Sequence, residues 1–460
     1  MSHLLISAAH KSSGKTTVSI GLCAALRARG LGVQPFKKGP DYIDPIWLGL
    51  ASGRECRNLD FHLMAPDEIR ALFDRFNSVA DVSLIEGNKG LYDGLDLDGS
   101  NSNAALAKLL EAPVVLVIDA RGMTRGIAPL ILGYQAFDRD IRIAGVILNN
   151  IGGSRHEGKL RAVIEHYTDV PVIGAVHHNR DLQILERHLG LMPANEAAEA
   201  TRQVDEIGRL VAAQVDMDRL LDIARSSPPS ATPAAVSAPK TGERLKIGVA
   251  RDRAFGFYYG DDLESLRMAG AELVFIDMLQ DQALPAVDGL FIGGGFPEAF
   301  MAELAANQPM RAQVKAAIEA GLPTYAECGG LMYLARSLEW KGERREMVGI
   351  IPGDIVMHDK PVGRGYVKLK ETQDSPWPAA GAPQGVINAH EFHYSSLENL
   401  EGEPRYAYEV VRGHGIDGKR DGLIYKNLLA SYTHLRSVRA YDWATRFVAF
   451  VRECKAAKPH

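Results

Sequence analysis

The chain has 460 residues, of which 46% are hydrophobic and 24% are charged, and its formal net charge is -5. This balance excludes the basic face of a nucleic-acid-binding protein, and no apolar run approaches the roughly 18 residues of a membrane-spanning helix. A chain of this length exceeds one ordinary hydrophobic core, so we expect two domains of roughly 200 residues each.

The first half alternates strand-like apolar runs with helical patterns. These runs are continuously hydrophobic, which is typical of strands buried on both faces of a parallel sheet. The predicted strands cover residues 4–8, 33–36, 82–85, 113–119, 141–149 and 171–175. The first of them is too short and lacks the flanks of a signal peptide, so we expect a cytoplasmic protein.

A basic, glycine-containing loop follows the first predicted strand. Residues 9–16 read AHKSSGKT and open a helix that we expect to reach about Arg29. Such a loop directs backbone N–H groups and a helix N-terminus toward phosphates, although Ala9 replaces the usual first glycine. Lys15 would contact the β and γ phosphates, and Thr16 would ligate Mg²⁺. The predicted nucleotide-binding residues of this loop are Ser13, Gly14, Lys15, Thr16 and Thr17.

Acidic residues follow the second and third predicted strands, within segments 37–44 (KKGPDYID) and 86–94 (EGNKGLYDG). Both segments fall on the edge of a parallel sheet that carries the phosphate loop. Acids beside a triphosphate usually hold Mg²⁺ or organise a substrate. Either segment alone is more often a solvated loop, but two on one edge favour a site. Asn149 ends a later strand, where it would either read a base or act as a cap.

A stretch rich in Pro, Ser and Ala separates the two halves. We assign residues 1–224 to the phosphate-loop domain, 225–243 to a linker and 244–460 to a second domain. The strand pattern restarts at 245–250, 272–276, 290–292 and 322–325, with helical stretches such as 297–306 between strands. Two doubly wound α/β domains in tandem are therefore expected.

Four cysteines, Cys23, Cys56, Cys328 and Cys454, lie far apart without CxxC spacing, which predicts neither a zinc site nor a disulfide framework. An unpaired cysteine is more often a packing residue than a nucleophile. Cys328 differs because it lies in YAECGG, on an expected sharp turn between a strand and a helix. Such a turn exposes the thiol, and the helix N-terminus favours the thiolate.

Glycines around this turn would supply an oxyanion site. Gly294 and Gly295 lie in a second glycine turn, FIGGGFPE, and Gly329 follows the cysteine. Glycines allow backbone N–H groups to converge on a developing negative charge. A thiol also needs a base, and His434, at the end of a strand-like segment, is the best candidate. His390 and His393 are alternatives, and any single histidine is more often structural.

Several motifs in order resemble the cobyrinic acid a,c-diamide synthases over nearly the whole chain. They lie at residues 36–42 (FKKGPDY), 86–87 (EG), 90–94 (GLYDG), 186–191 (ERHLGL), 293–298 (GGGFPE), 326–333 (AECGGLMY) and 390–394 (HEFHY). The resemblance implies an N-terminal P-loop domain similar to dethiobiotin synthetase. It also implies a C-terminal class I glutamine amidotransferase domain with a flavodoxin-like sheet.

The resemblance further implies an ATP-hydrolysing carbon–nitrogen ligase of cobalamin biosynthesis. Such enzymes amidate the a and c acetates of cobyrinic acid through an acyl phosphate, with Mg²⁺, ATP and ammonia from glutamine. It implies Cys328 as the nucleophile, with His434 as its base and later the acid for ammonia release. In the N-terminal domain, the resemblance implies that Glu86 and Asp44 bind Mg²⁺ or position a carboxylate. The remaining residues implied to bind the substrate or the phosphorylated intermediate are Asp41, Tyr42, Asp93 and Lys37.

Some features leave alternatives open. The phosphate loop is less glycine-rich than is common in the family, and a branch of the family amidates sirohaem or nickel sirohydrochlorin instead. Cobyric acid synthase shares both domain types, although the segments 90–94 and 186–191 favour the a,c enzyme. Intact Cys328, His434 and Lys15 argue against a non-catalytic switch. Arg436 stands where class I amidotransferases often have glutamate, as in the resembling family, so the partner that orients His434 is not identified. The sequence does not fix the oligomeric state, and a homodimer is one option.

Overall fold

The computed structural model describes residues 2–179, 184, 186–187, 190–191, 199–229, 244–378 and 385–457. The chain forms two compact units, Met1–Ala235 and Val236–His460. The break falls inside the predicted linker, of which residues 230–243 lie outside the described residues, so the domain bounds stay a prediction. None of the described helices combines the length and the apolar character needed to cross a bilayer.

The N-terminal unit is built on a parallel sheet. Its strands in the described chain are β1 (Ser2–Ala8), β2 (Val33–Lys38), β3 (Arg57–Leu59), β4 (Val82–Glu86), β5 (Val114–Asp119), β6 (Ile143–Ile151) and β7 (Val172–His177). Their order is β3-β2-β4-β1-β5-β6-β7, and each neighbouring pair is parallel. The six strands predicted in this half are all present. The two-residue strands β8 (Glu186–Arg187) and β9 (Gly190–Leu191) pair antiparallel, and residues 188–189 lie outside the described residues.

Helices connect the strands of this unit. They are α1 (Lys15–Ala28), α2 (Ile43–Ser52), α3 (Pro66–Asn77), α4 (Asn103–Leu110), α5 (Ile127–Phe137), α6 (Ser154–Tyr167), α7 (Ala200–Ala212) and α8 (Met217–Arg225). Helix α1 packs tightly on α7, because a Cβ on Gly21 would lie 2.4 Å from Val211 and one on Gly208 would lie 2.7 Å from Ala24. This contact fixes the helix that begins at the phosphate loop.

The chain order of the sheet explains where a ligand can bind. Strand β1 lies between β4 and β5. Strands β2 to β4 lie on one side of β1, and strands β5 to β7 lie on the other side. Strands β2, β4 and β5 are buried along their whole length, including the polar residues Gln34, Lys37 and Lys38 of β2. The carboxyl ends of β1, β2 and β4 share one edge at this switch point, which is where doubly wound sheets bind ligands.

The C-terminal unit contains a larger, mixed sheet. Its described strands are β10 (Leu245–Ala250), β11 (Phe255–Phe257), β12 (Ala271–Ile276), β13 (Gly289–Ile292), β14 (Gly294–Gly295), β15 (Thr324–Glu327), β16 (Ala335–Trp340), β17 (Glu343–Glu346), β18 (Ile351–Met357), β19 (Gly363–Glu371), β20 (Val386–His393), β21 (Ser395–Glu398), β22 (Arg405–Arg412), β23 (Arg420–Tyr425) and β24 (Leu428–Ser431). The main sheet has the order β12-β10-β13-β15-β24-β23-β22-β19-β20. Its first five strands are parallel, and the remaining pairs are antiparallel.

Helices and two small sheets complete this unit. The described helices are α9 (Gly260–Met268), α10 (Met301–Ala306), α11 (Gln308–Glu319), α12 (Gly329–Leu334) and α13 (Trp443–Ala457). The helix predicted at 297–306 begins as a 3-10 helix, Pro297–Phe300. The small sheets are β11-β14 and β17-β16-β18-β21. Leu290 and Ile292 of β13 belong to one core cluster and Phe291 to the other, so this strand of the main sheet is buried on both faces. The predicted fold class is confirmed, and the antiparallel extension is an addition to it.

Candidate functional site

Cys328 occupies the turn between β15 and α12. Its backbone has φ 48° and ψ -101°, a conformation that residues with a side chain rarely adopt. Its N–H donates to the carbonyl of Ser431 at 2.7 Å, so the neighbouring strand β24 holds the turn. The sharp turn expected from the sequence is therefore present, with the geometry of a nucleophile elbow.

The glycines assigned to the oxyanion site lie beside this turn. A Cβ on Gly329 would lie 3.0 Å from the backbone nitrogen of Gly295. A Cβ on Gly295 would lie 1.9 Å from the carbonyl oxygen of Ala254, so no side chain fits there. A Cβ on Gly294 would lie 2.6 Å from Cε1 of His434. The fold thus brings two glycine turns and the histidine to the cysteine, an arrangement suited to acyl transfer.

His434 follows β24 and is buried, with 2% of its surface exposed. Its Nδ1 lies 3.4 Å from Oε2 of Glu327, and the side chain also interacts with that of Cys328. Burial alone would lower the pKa of His434, but its interactions with Cys328 and Glu327 raise the pKa to about 10. At neutral pH the imidazole of His434 is therefore protonated beside the sulfur of Cys328.

The two alternative histidines have other contacts. The ring of His390 stacks on His434 with 5.0 Å between centroids and 16° between planes. His393 stacks on Tyr432 at 3.9 Å, and its Nδ1 lies 2.8 Å from the carbonyl oxygen of Ser395. The interaction with Cys328 favours His434 as the base over both.

Arg436, at the position where other amidotransferases often have glutamate, points to a different element. Its guanidinium pairs with Asp261 of α9 at 2.7 Å and lies 4.8 Å from the centre of the Tyr259 ring. The carboxylate beside His434 belongs instead to Glu327, which the sequence analysis did not single out. Strand register explains its position, because Glu327 pairs with Ser431, three residues before His434.

The phosphate loop of the N-terminal unit is shaped by two left-handed residues. Ser12 has φ 65° and Gly14 has φ 80°. Such a bend turns successive backbone N–H groups toward one point, as an anion requires. The amide of Asn149 donates to the carbonyl of Ser13 at 2.9 Å, and a Cβ on Gly14 would lie 2.0 Å from that amide nitrogen. Asn149 therefore supports the loop, and helix α1 begins directly after it at Lys15.

Replacing Asn149 by alanine is expected to raise the KM for ATP by about fivefold, because one buried hydrogen bond to the loop is lost. The maximal rate should change less, since the residue contacts the loop rather than a reacting atom. Steady-state synthesis at varied ATP measures both quantities. Gln135→Ala, which removes an exposed amide on α5, is the control and should change neither. An unchanged KM for ATP in Asn149→Ala would contradict this role.

Thr16 lies between two carboxylates. Its hydroxyl is 2.6 Å from Oε1 of Glu86 and 3.3 Å from Oδ2 of Asp44. Glu86 is fully buried, and its Oε2 has no hydrogen-bond partner within the described structure. Mg²⁺ prefers such oxygen donors, and it is usually held by one or two carboxylates together with phosphate oxygens. Thr16, Glu86 and Asp44 therefore fit an ion that is bound together with the nucleotide.

Lys37 is surrounded by acids. Its Nζ contacts Asp44, lies 3.2 Å from Oε1 of Glu86 and lies 3.7 Å from Oδ2 of Asp41. Burial alone would lower the pKa of Lys37, but the charges of these three carboxylates hold it above its usual range. Burial lowers the pKa of Lys15, although its Nζ lies 3.6 Å from Oε1 of Glu86. Both lysines therefore lie where their positive charges would offset those of a bound triphosphate and of the neighbouring carboxylates.

Asp41 caps the helix that follows it. Its Oδ1 accepts from the backbone N–H groups of Ile43 at 2.9 Å and Asp44 at 3.1 Å. Burial and the charge of Asp44 raise the pKa of Asp41, although Lys37 acts in the opposite direction. About a third of the side chain is accessible, at 32%, so a substrate could reach it. The neighbouring Tyr42 is 9% exposed.

Asp93 is an exposed residue of the loop after β4. Its Oδ2 accepts from the backbone N–H of Gly90 at 3.0 Å. A Cβ on Gly90 would lie 2.9 Å from the carbonyl oxygen of Ala9, so this loop packs against the start of the phosphate loop. The segments assigned from the sequence to the nucleotide and the substrate therefore meet at one edge of the sheet. The roles of the individual residues stay predictions.

Two family models match this chain, one in each half. The model of the CobQ/CobB/MinD/ParA nucleotide binding domain matches residues 5–191. The model of the CobB/CobQ-like glutamine amidotransferase domain matches residues 246–439. Fold, site and family models together define an amidotransferase that carries its own P-loop nucleotide-binding domain.

Relatives that match along the whole chain define the family more closely. A cobyrinate a,c-diamide synthase of Magnetococcus marinus is 48% identical over 98% of this chain and 97% of its own length. Proteins of the same name from Methanosarcina acetivorans and Archaeoglobus fulgidus are 43% and 42% identical, over 99% and 97% of this chain and 96% of each relative. The chain belongs to the cobyrinate a,c-diamide synthase family, as the sequence motifs indicated.

Proposed function

We propose that this chain is a ligase that amidates the a and c acetates of cobyrinate, with ATP, Mg²⁺ and ammonia from glutamine, in cobalamin biosynthesis. The observation that carries the proposal is the presence of two complementary sites in one member of this family. One unit has a cysteine elbow with a protonated histidine, and the other has a phosphate loop with buried carboxylates. A glutaminase alone would need only the first. We place the reaction in the cytoplasm.

In the C-terminal unit, the sulfur of Cys328 attacks the carboxamide carbon of glutamine. The carbonyl oxygen becomes an oxyanion, which backbone N–H groups of Gly294 or Gly295 and of Gly329 stabilise. His434 gives its proton to the departing ammonia, and a thioester to Cys328 remains. Water then attacks the thioester while His434 takes up a proton, so glutamate leaves and the pair is restored.

In the N-terminal unit, the phosphate loop and Lys15 bind the ATP phosphates. Thr16, Glu86 and Asp44 would hold Mg²⁺, which neutralises phosphate charge when it is bound. An acetate oxygen of the substrate attacks the γ-phosphorus, and ADP leaves. Ammonia then attacks the acyl phosphate carbon, and phosphate departs as the amide forms.

The acids at the rim of this site position the substrate and manage protons. Asp41 has a raised pKa, so its carboxylate is suited to accept a proton from the attacking ammonia. Tyr42 and Lys37 flank this position and would contact the macrocycle or the reacting acetate. Asp93 faces the same edge from the neighbouring loop.

Replacing Asp93 by asparagine should lower the rate of synthesis by about 100-fold while glutaminase turnover persists, because the carboxylate acts on the substrate side alone. Amide formation and glutamate release, measured on the same samples, separate the two activities. Asp96→Asn alters an exposed aspartate of the same loop, which accepts from Asn101 at 2.7 Å, and should leave synthesis unchanged. Equal losses of synthesis and glutaminase turnover in Asp93→Asn would remove it from the synthetase site.

The identity of the macrocycle is tested by product masses. Purified protein receives cobyrinate or sirohaem in separate reactions with ATP, Mg²⁺ and glutamine. Two successive amidations of cobyrinate are the expected result. Amidation of sirohaem alone would contradict the proposed substrate and retain the ligase chemistry.

A further inference from the structure

Glu327 is a charged residue in an apolar setting. It ends strand β15, directly precedes Cys328 and is 3% exposed. A carboxylate removed from water is costly unless donors and a positive charge surround it. The position therefore needs an explanation beyond packing.

Two hydrogen-bond donors and the ring of His434 lie around this carboxylate. Oε1 accepts from the backbone N–H of Leu435 at 2.9 Å and from the hydroxyl of Tyr325. Oε2 lies 3.4 Å from Nδ1 of His434, a distance that is common for catalytic pairs before substrate binds. Tyr325 and Glu327 share one face of β15 because side chains alternate along a strand. Tyr325, which precedes the nucleophile, and Leu435, which follows the histidine, thus hold the Glu327 carboxylate in place.

We propose that Glu327 is the positioning residue of the glutaminase site, which orients the His434 ring and stabilises its cationic form. The inference rests on the proposed role of Cys328 and His434 in glutamine hydrolysis. With Nδ1–H directed at Glu327, the other ring nitrogen is left to exchange a proton with the sulfur and the leaving ammonia. The cysteine, the histidine and the acid then form a triad in which the acid adjoins the nucleophile in sequence.

Other acids near this loop have structural contacts. Asp261 pairs with Arg436 at 2.7 Å. Glu391 accepts from the backbone of His414 at 2.7 Å and of Gly415 at 2.8 Å. Two further buried aspartates accept hydrogen bonds from backbone N–H groups of the segment around His434. Asp262 accepts from Ser437, and Asp421 accepts from Tyr432 and Thr433. These acids pair with an arginine or accept from backbone N–H groups, whereas Glu327 lies beside the imidazole ring of His434.

The proposal predicts a direction of change with pH. Burial lowers the pKa of His434, but Glu327 and Cys328 together raise it. The ring of His390 stacks on one face of the His434 ring. Loss of the carboxylate charge therefore lowers the pKa of His434. The alkaline limb of the glutaminase profile, which reports loss of the His434 proton, should then move to lower pH.

The test compares glutaminase kinetics of Glu327→Gln with wild type across pH. We expect kcat to fall by about 100-fold with little change in the KM for glutamine, and the alkaline limb to move to lower pH. Glu327→Asp keeps the charge. It should therefore retain part of the kcat that Glu327→Gln loses, and its alkaline limb should lie closer to that of wild type. The control Glu371→Gln removes a partly buried charge paired with Arg446 at 2.9 Å and should leave the pH profile in place.

Each outcome decides the question. A Glu327→Gln protein with wild-type kcat and pH profile would overturn the role of Glu327 and leave the proposed function intact. A wild-type protein that does not hydrolyse glutamine would overturn both. If Glu327→Gln does not fold, Tyr325→Phe serves instead, because it removes one donor to the carboxylate. A several-fold loss of kcat at constant KM supports the proposal, and an unchanged kcat contradicts it.

Discussion

Replacement of Cys328 by alanine is expected to abolish glutamine-dependent synthesis while synthesis from added ammonia continues. The sulfur is the atom that forms a bond to glutamine, and nothing else at the turn can replace it. Removing such a nucleophile lowers turnover by about 10⁴-fold or more. The ammonia-dependent reaction needs only the N-terminal unit, so its rate should stay near that of wild type. Amide formation with each nitrogen donor measures both.

Cys454→Ala is the matched control for this variant. Cys454 is a partly exposed cysteine on α13 of the same unit, and its loss should leave both reactions unchanged. Equal loss of the glutamine-dependent and ammonia-dependent reactions in Cys328→Ala would contradict the assignment. That result would mean that the variant damages the fold or that the sulfur serves the synthetase step.

Replacement of Lys15 by methionine is expected to stop synthesis from either nitrogen donor. Methionine keeps much of the length of the side chain but removes the charge that Lys15 would place on the phosphates. Loss of one such charge at a phosphoryl-transfer site costs about 10³-fold in rate. Glutaminase turnover should persist, because Cys328 and His434 belong to the other unit. ADP release and glutamate release, followed together, separate the two effects.

Lys159→Met is the control for this change. Lys159 is an exposed lysine on α6, and its replacement should leave ADP release at the wild-type rate. Ammonia-dependent synthesis that survives in Lys15→Met would exclude this loop as the site of ATP use.

The sequence predicts the parallel parts of the fold well and the antiparallel part poorly. Strands such as β4 and β5 are continuously apolar and flanked by helical patterns, so they can be recognised locally. Strand β19 has the sequence GRGYVKLKE, with exposed and buried residues mixed along it. It extends the main sheet through pairing with β20 and β22, which no local pattern indicates.

The same distinction holds at the sites. Cys328 and Gly14 lie in short motifs whose turns need particular backbone angles, so their positions follow from local sequence. Glu327 meets His434 only because β15 pairs with β24, a contact between distant parts of the chain. From the sequence, Asn149 would either read a base or act as a cap. Its hydrogen bond to Ser13 shows that it supports the phosphate loop.

The most direct test of the account follows the nitrogen atom from glutamine to the product. The protein receives cobyrinate, ATP, Mg²⁺ and glutamine labelled with ¹⁵N in its amide, in the presence of unlabelled ammonia at low concentration. We expect a product that carries two amides, both labelled, and no labelled amide when Cys328→Ala replaces wild type. A diamide without label, or no amide on cobyrinate from either donor, would contradict it.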